Sequence, residues 1–368
     1  MISYAKSFRF FPLLLVLGIS PTVINAFSGT EGASFLDIPV GAGPAALGGA
    51  YAARAENVYA PIWNSGGLGF VRAPELSGQH LSYLDSINDE YLGFVVPLHE
   101  SSAWGGSAQY LTSGKVTGRN DSGNLTGDFS NSYAAYSLAY GHTLSPRWSV
   151  GLTGKWIHAK LSDVTANAYA GDIGTLYRMT DHVTLAGTVT NLGSSLTFLD
   201  QPDVLPSAAH ASIYFHPKAP WNLSMEGIYR RTGLASFHTG LEWKPFVFLA
   251  LRAGYRTDTI KELSPIAGVT TGFGLTLWGS ELAYAWLPLG DLGNTQYLSV
   301  VLHWSGSSDQ EKKNLVQFQN IQRYRSAGNF PNPYLEEAPE NPADDQLIQL
   351  LSEDETVHVS LSPQGVMR

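Results

Sequence analysis

The chain has 368 residues, no cysteine and a formal net charge of −9, which excludes disulfide scaffolds, thiolate metal sites and the basic footprint of a nucleic-acid binder. Only 14% of residues are charged, against about 25% in ordinary soluble domains, while 12% are aromatic and 38 are glycine. That balance suits a wall whose outer face meets lipid.

Lys6 and Arg9 precede an apolar run from Phe10 to Ile19 and a more polar stretch ending near Ala26, the layout of a secretory signal peptide. The run is too short to cross a bilayer as a lasting helix, and no later stretch offers about 18 consecutive apolar residues. Residues 1–26 are therefore expected to be removed on export. The next stretch, residues 27–74, does not alternate as a strand would. Pro44 opens a run of small residues reaching Ala55, with Ala45, Ala46, Gly48, Gly49, Ala50, Ala52 and Ala53. It suits a short helix with proline in its first turn, lying at close backbone approach to a packed surface.

Residues 75–304 repeat one unit, about ten residues of alternating character followed by a turn. Fourteen such segments are expected, from Glu75 to Tyr83 through Pro265 to Leu275 and on to Thr295 to Trp304. In Phe246 to Arg256 one face reads Val247, Leu249, Leu251, Ala253 and Tyr255, and the other Phe248, Ala250, Arg252, Gly254 and Arg256. In Trp148 to Lys160, Val150, Leu152, Gly154 and Trp156 alternate with Ser149, Gly151, Thr153 and Lys155. Leu282, Tyr284 and Trp286 fall on the face opposite Glu281. A mid-strand charge is affordable only where it meets water or other polar groups, so Lys155, Glu226, Arg252, Arg256 and Glu281 are the candidate lumen residues.

The connections alternate in length, with Pro245 alone as one short turn and Leu161 to Asn167 and Thr112 to Asn131 among the longer ones. Short turns face the periplasm in outer-membrane barrels. Together with an even strand count, this places both chain ends on the periplasmic side of a bacterial outer membrane. The fold expected is an all-β membrane protein: a 14-stranded antiparallel transmembrane barrel with a short helical plug before it. A soluble sandwich or propeller also alternates, but its solvent face would carry more charge.

Residues 305–368 change character, with few glycines and more charge. Asp344 to Ser352, DDQLIQLLS, has Leu347, Ile348, Leu350 and Leu351 at near-helical spacing. This periplasmic tail reads equally as a docking arm or as a partly disordered extension. The ten histidines show no metal-site spacing, and G-x-S-x-G and H-E-x-x-H are absent. No cofactor and no enzyme activity are expected.

One set of residues carries a resemblance. Phe35, Leu36, Ile38 and Gly41, then Leu47, Gly48, Gly49 and Ala50, then Trp63, Asn64, Gly67 and Leu68 resemble the amino-terminal signature of the PorV/PorQ family, within the group of barrels similar to the long-chain fatty acid transporter. Gly43 stands where that family usually has arginine, and Ser65-Gly66 replace its usual Pro-Ala. The resemblance implies a 14-stranded barrel whose amino-terminal segment folds into or against the lumen. PorV-like proteins act with the type 9 secretion machinery, so the first expectation is a secretion accessory or shuttle that engages exported proteins or secretion-system components. Fatty-acid-transporter-like barrels instead move hydrophobic small molecules, which makes a channel the second expectation. A structural barrel with a docking arm is the third. Membrane lipid is a partner in all three, and nucleic acid in none. An apolar lumen pocket beside Trp63 would favour the channel, and a polar or blocked lumen the protein partner.

Overall fold

The computed structural model describes residues 31–84, 86–217, 220–258, 266–289 and 293–304. The signal peptide and the 305–368 tail expected from the sequence lie outside the described residues. In chain order the strands are β1 (Glu75–Ser82), β2 (Asn88–His99), β3 (Ser102–Thr112), β4 (Val116–Arg119), β5 (Leu125–Phe129), β6 (Asn131–Ser145), β7 (Trp148–Leu161), β8 (Val164–Thr180) and β9 (Val183–Gly193). They continue with β10 (Leu196–Phe198), β11 (Gln201–Asp203), β12 (Ala208–Phe215), β13 (Trp221–Arg230), β14 (Ala235–Phe246), β15 (Leu249–Arg256), β16 (Val269–Leu277), β17 (Ser280–Pro288) and β18 (Asn294–His303). Fourteen of them form one closed antiparallel barrel, which β1 completes by pairing with both β2 and β18. The other four make two small hairpins, β4–β5 and β10–β11, carried by the longer connections.

The period-2 pattern decides which face each side chain takes. On β2, Leu92 and Phe94 are 54% and 45% exposed, while Tyr91 and Val95 on either side of them are 3% and 0%. Closure leaves no unpaired edge, the condition for a sheet to stand in lipid. No helix among the described residues is long and apolar enough to cross a membrane; the crossing elements are strands.

Three boundaries differ from the sequence expectation. Pro245 is not a turn but lies within β14, at a register shift between Trp243 and Phe246, and Val247 and Phe248 make the turn. A proline in a strand is tolerated at such an irregularity because no ladder donor is lost there. The β7–β8 connection is tight rather than long, since pairing continues to Leu161 and Val164. Ser162 takes the left-handed conformation (φ 54°) that such a turn needs. The strand expected from Pro265 begins at Val269.

Before β1 the chain threads the lumen. It carries two short helices, α1 (Ala42–Ala46) and α2 (Ala60–Trp63), and three 3-10 turns at Ser34–Asp37, Ala52–Arg54 and Ser65–Phe70. The helix expected from Pro44 to Ala55 stops after one turn. Gly48 and Gly49 take φ of +67° and +77°, which turn the chain where a helix would continue. Both glycines also lie against the wall or Trp63. A Cβ on Gly48 would sit 3.0 Å from the Thr239 and Tyr255 backbone, and Gly240 and Gly254 open matching space on β14 and β15. The small-residue run is thus the half of a close backbone contact whose other half is a set of wall glycines.

The thread begins at the mouth that holds the long connections, where Glu31 bridges Val204 and the Gly32 amide donates to the Val204 carbonyl at 2.9 Å. It ends at the opposite mouth, where β1 starts and the Trp304 amide donates to the Pro74 carbonyl at 3.2 Å. The chain ends that the sequence expectation put on one side lie outside the described residues. The two ends of the described barrel unit, Glu31 and Trp304, lie at opposite mouths, because the plug crosses the lumen before the wall begins.

Candidate functional site

The plug is pinned around the whole circumference, mostly by its own backbone meeting wall side chains. The Ala42 amide donates to Ser299 Oγ at 3.1 Å, Thr270 Oγ1 donates to the Ala46 carbonyl at 2.8 Å, and Thr153 Oγ1 donates to the Pro61 carbonyl at 3.2 Å. The Val58 amide donates to Glu75 Oε2 at 2.7 Å, and the Gly41 amide donates to Gln79 Oε1. Irregular backbone leaves donors and acceptors without helix or sheet partners, and polar residues among the lumen-facing wall positions supply them.

The resemblance residues fall within this plug. Phe35 is buried against Tyr133, with ring centroids 5.4 Å apart. Leu36 and Ile38 are half-buried and line a recess described below. Leu47 and Leu68 are fully buried, and so is Ala50. Asn64 holds three segments together: its amide nitrogen donates to the Ala52 and Thr175 carbonyls at 3.0 and 3.1 Å, and its Oδ1 accepts from the Gly66 amide at 3.0 Å. Gly67 has no room for a side chain, because a Cβ there would lie 1.7 Å from the Ala55 carbonyl oxygen. The expected outcome for Ala50→Cys, the one thiol in a cysteine-free chain, is no maleimide labelling in intact outer membranes and full labelling after heat denaturation. Rapid labelling of the native protein would overturn the plug's placement.

All five candidate lumen residues face inward. Glu226 accepts from the Tyr51 and Ala52 amides at 3.1 and 3.0 Å and pairs with His210 at 2.8 Å. Arg252 pairs with Glu242 at 2.8 Å and Glu281 at 2.6 Å, and its guanidinium fills the space beside Gly43. Lys155 pairs with Asp172 at 2.7 Å and donates to Asn191 at 2.8 Å. Arg256 holds Asp258 through two bonds of 2.7 and 2.8 Å.

The structure adds residues to this set. Glu242, wholly buried, joins plug to wall by accepting from Arg54 at 2.8 Å as well as from Arg252. Arg230 pairs with Asp37 of the plug. Asp258 gathers Arg256, Arg230 and His238. Burial works against charge on Asp258, but the bonds from Arg256 and His238 prevail and hold its carboxyl well below the usual range. Alternation along β14, with His238, Gly240 and Glu242 on one face and Phe237, Leu241 and Trp243 on the other, is the sequence signal that marks Glu242 and His238.

Two recesses of about 70 Å³ each lie on opposite sides of the plug. The one toward the short turns is polar at its floor, with Arg54, Arg252, Glu281 and His303. The other lies toward the long connections. Its plug side is apolar, with Leu36, Ile38, Val40, Ile62 and Trp63, and its wall side adds Ile228 before turning polar at Lys155, Asn191, His210, Arg230, His238 and Arg256. Trp63 is fixed there by donating its indole N–H to the Val40 carbonyl at 3.0 Å. This second recess, apolar over one half and polar over the other, is the candidate site. Among the described residues no cluster of three histidines, aspartates or glutamates gathers in metal-binding geometry.

No family model and no curated protein matches the sequence. Solved structures do. The Ralstonia pickettii toluene transporter TbuX is similar at 12% identity over 71% of this chain and 96% of that one, with a TM-score of 0.50. The CymD monoaromatic hydrocarbon channel is similar at 13% identity over 72% and 96%, with a TM-score of 0.49. A Pseudomonas aeruginosa FadL homologue is similar at 13% identity over 71% and 96%, with a TM-score of 0.44. At such identities what is shared is architecture, and the TbuX likeness places the chain's fold among barrels of the outer-membrane type.

Proposed function

We propose that the protein is an outer-membrane channel for hydrophobic small molecules, with the recess beside Trp63 as its binding site and the plug as its gate. One observation carries this: the plug turns Leu36, Ile38, Val40, Ile62 and Trp63 toward one open space, with Ile228 opposite and Asp37 the one charged plug residue beside them. Exposed apolar groups in a lumen cost stability unless something covers them, and binding sites are the usual place where that cost is kept. The similar TbuX is described as a toluene transporter, which agrees with an apolar cargo. In this reading the short-turn mouth faces the periplasm, so the recess opens toward the outer side.

Passage requires the Leu36–Val40 stretch to move, and the Asp37–Arg230 pair and the Trp63–Val40 bond are what it must break. In cells deprived of their own lipophile channels, expression of the protein should raise uptake of at least one of radiolabelled n-octane and 1-octanol several-fold over an empty vector. Ile228→Trp, which fills the recess from the wall, should return uptake to background while the heat-modifiable mobility of the folded barrel is unchanged. Equal uptake with and without the protein would sink the channel reading.

A secretion-accessory role of PorV/PorQ type takes second place. Its support is the plug signature and the polar β4–β5 hairpin that rises from the long-connection mouth, a surface suited to a protein partner. Co-purification of an exported protein from the native host, lost when residues 113–130 are shortened, would move that role to first.

A further inference from the structure

Resting on the channel reading, we infer that the recess selects slender aliphatic alcohols, through the Nδ1 atom of His238, over hydrocarbons or carboxylates of the same length. The His238 side chain is only 4% exposed. Its Nε2 lies 3.3 Å from Asp258 Oδ2, and the Ser236 hydroxyl is 3.4 Å away on the same nitrogen. Asp258 is itself held by Arg256 and Arg230. In the neutral ring the hydrogen therefore sits on Nε2, where the carboxylate accepts it, and Nδ1 carries the lone pair.

That Nδ1 is buried and has no hydrogen-bond partner among the described residues. It borders the recess at Gly49, where an added Cβ would lie 3.3 Å from Nδ1 and 3.4 Å from the Trp63 ring. Glycine at this point leaves open the gap between a lone pair and an apolar indole. A ligand with a hydroxyl at one end of an alkyl chain matches both: its O–H donates to Nδ1 and its chain covers Trp63, Ile62 and Val40.

The competing chemistries are disfavoured on specific grounds. A hydrocarbon in the recess leaves Nδ1 a buried, unpaired acceptor, a penalty that discriminates far more strongly than a missing methylene does. A carboxylate would set its own lone pairs against Nδ1, and the cations that line the recess, Lys155, Arg230 and Arg256, are already paired with Asp172, Asp37 and Asp258. The recess of about 70 Å³ is under half the roughly 150 Å³ of a cavity that holds benzene, so what enters is the narrow hydroxyl end of a chain, with the rest of the chain in the opening toward the long connections.

The test uses the full-length protein in detergent and ligand-observed ¹⁹F NMR with three probes: 5-fluoropentan-1-ol, 1-fluoropentane and 5-fluoropentanoate. Micelle partitioning of each probe is subtracted with a protein-free detergent blank. The expected result is tightest binding of the alcohol by wild type, and about tenfold weaker alcohol binding by His238→Phe, with 1-fluoropentane unaffected or improved. The wild-type ranking needs no variant, so a poorly folding His238→Phe leaves the inference testable. If 1-fluoropentane binds wild type as well as the alcohol, the channel reading stands and the hydroxyl selection falls. If the pentanoate binds best, the ring is donating rather than accepting and the inference is overturned. If none of the three binds, the recess is not a ligand site and the channel reading falls with it.

Discussion

Deleting residues 33–72 should convert a closed barrel into an ion-conducting pore, the largest change expected from any single alteration of this chain. In planar bilayers the intact protein should hold a flat baseline, and the deletion should give sustained open steps at the same protein density. The physical basis is the division of labour between wall and plug. The wall needs nothing from the plug to close, since each of its fourteen strands has two strand neighbours and the ladder from β1 to β18 is complete. What the plug supplies is volume. Eight strands leave a barrel just filled by side chains and sixteen to eighteen leave an aqueous channel, so about fourteen leave a lumen that must be occupied or wet. Here it is occupied by backbone at close approach: Gly141, Gly151 and Gly174 of the wall have no space for a Cβ because Ser65 and Gly66 stand there. Once the plug is gone those glycines face water, and so do Glu75, Glu226 and Glu242. Hydration replaces the lost partners of these acids, so the barrel should survive and conduct. A folded, heat-modifiable deletion variant that stays silent, or an intact protein that conducts like an open porin, would show that the plug does not seal the lumen.

How much of this was legible in the sequence follows from the range of each interaction. Strand identity depends on neighbours two residues apart, and the alternation of Val247 to Arg256 or Ser149 to Trp156 was enough to assign faces. Turn positions depend on one or two residues and were less secure: Pro245 reads as a breaker, yet a bulge accommodates it inside β14. The plug helix failed for a similar reason. Proline and alanines from Pro44 onward satisfy every local preference for helix, but Gly48 answers to the backbone of Thr239 and Tyr255 and Gly49 to the side chains of His238 and Trp63, wall and plug partners well beyond local range in the chain. The recess was the least legible feature. Its lining comes from the plug and from β7, β9, β12, β13, β14 and β15, and no spacing in the sequence announces that Trp63, Ile228 and His238 share one space. Charges offered a partial signal, since Arg54 and Asp37 in an apolar segment each demand a partner, but not which partner.

Glu242→Ala should loosen the plug while leaving the wall closed. The Glu242 carboxylate has no exposed surface and is approached by Arg54 and Arg252 at 2.8 Å each, by Asn222 at 3.0 Å and by Lys244 at 3.4 Å. Arg54 belongs to the plug and has a second nitrogen, Nη1, that is buried without a partner, so Glu242 is its sole anionic contact at hydrogen-bond distance among the described residues. Removing one member of a buried ion pair costs about 3–5 kcal/mol, because the charge left behind is neither paired nor hydrated. Arg252 keeps Glu281; Arg54 keeps only the faces of Tyr51 and Tyr214, at 5.8 and 4.7 Å. The unpaired guanidinium should therefore leave the interior and draw the Ala52–Arg54 turn with it. The barrel's strand ladders do not involve that turn, so the damage should be local. The check is the Ala50→Cys thiol: protected in an otherwise native chain, it should become reactive in the Glu242→Ala background without loss of the folded barrel's electrophoretic mobility. Glu242→Gln, which keeps the acceptor oxygen but not the charge, should fall between the two. Unchanged protection in Glu242→Ala would mean that the plug is held by its close backbone packing against the wall glycines, and that the ion pairs merely fill the space between them.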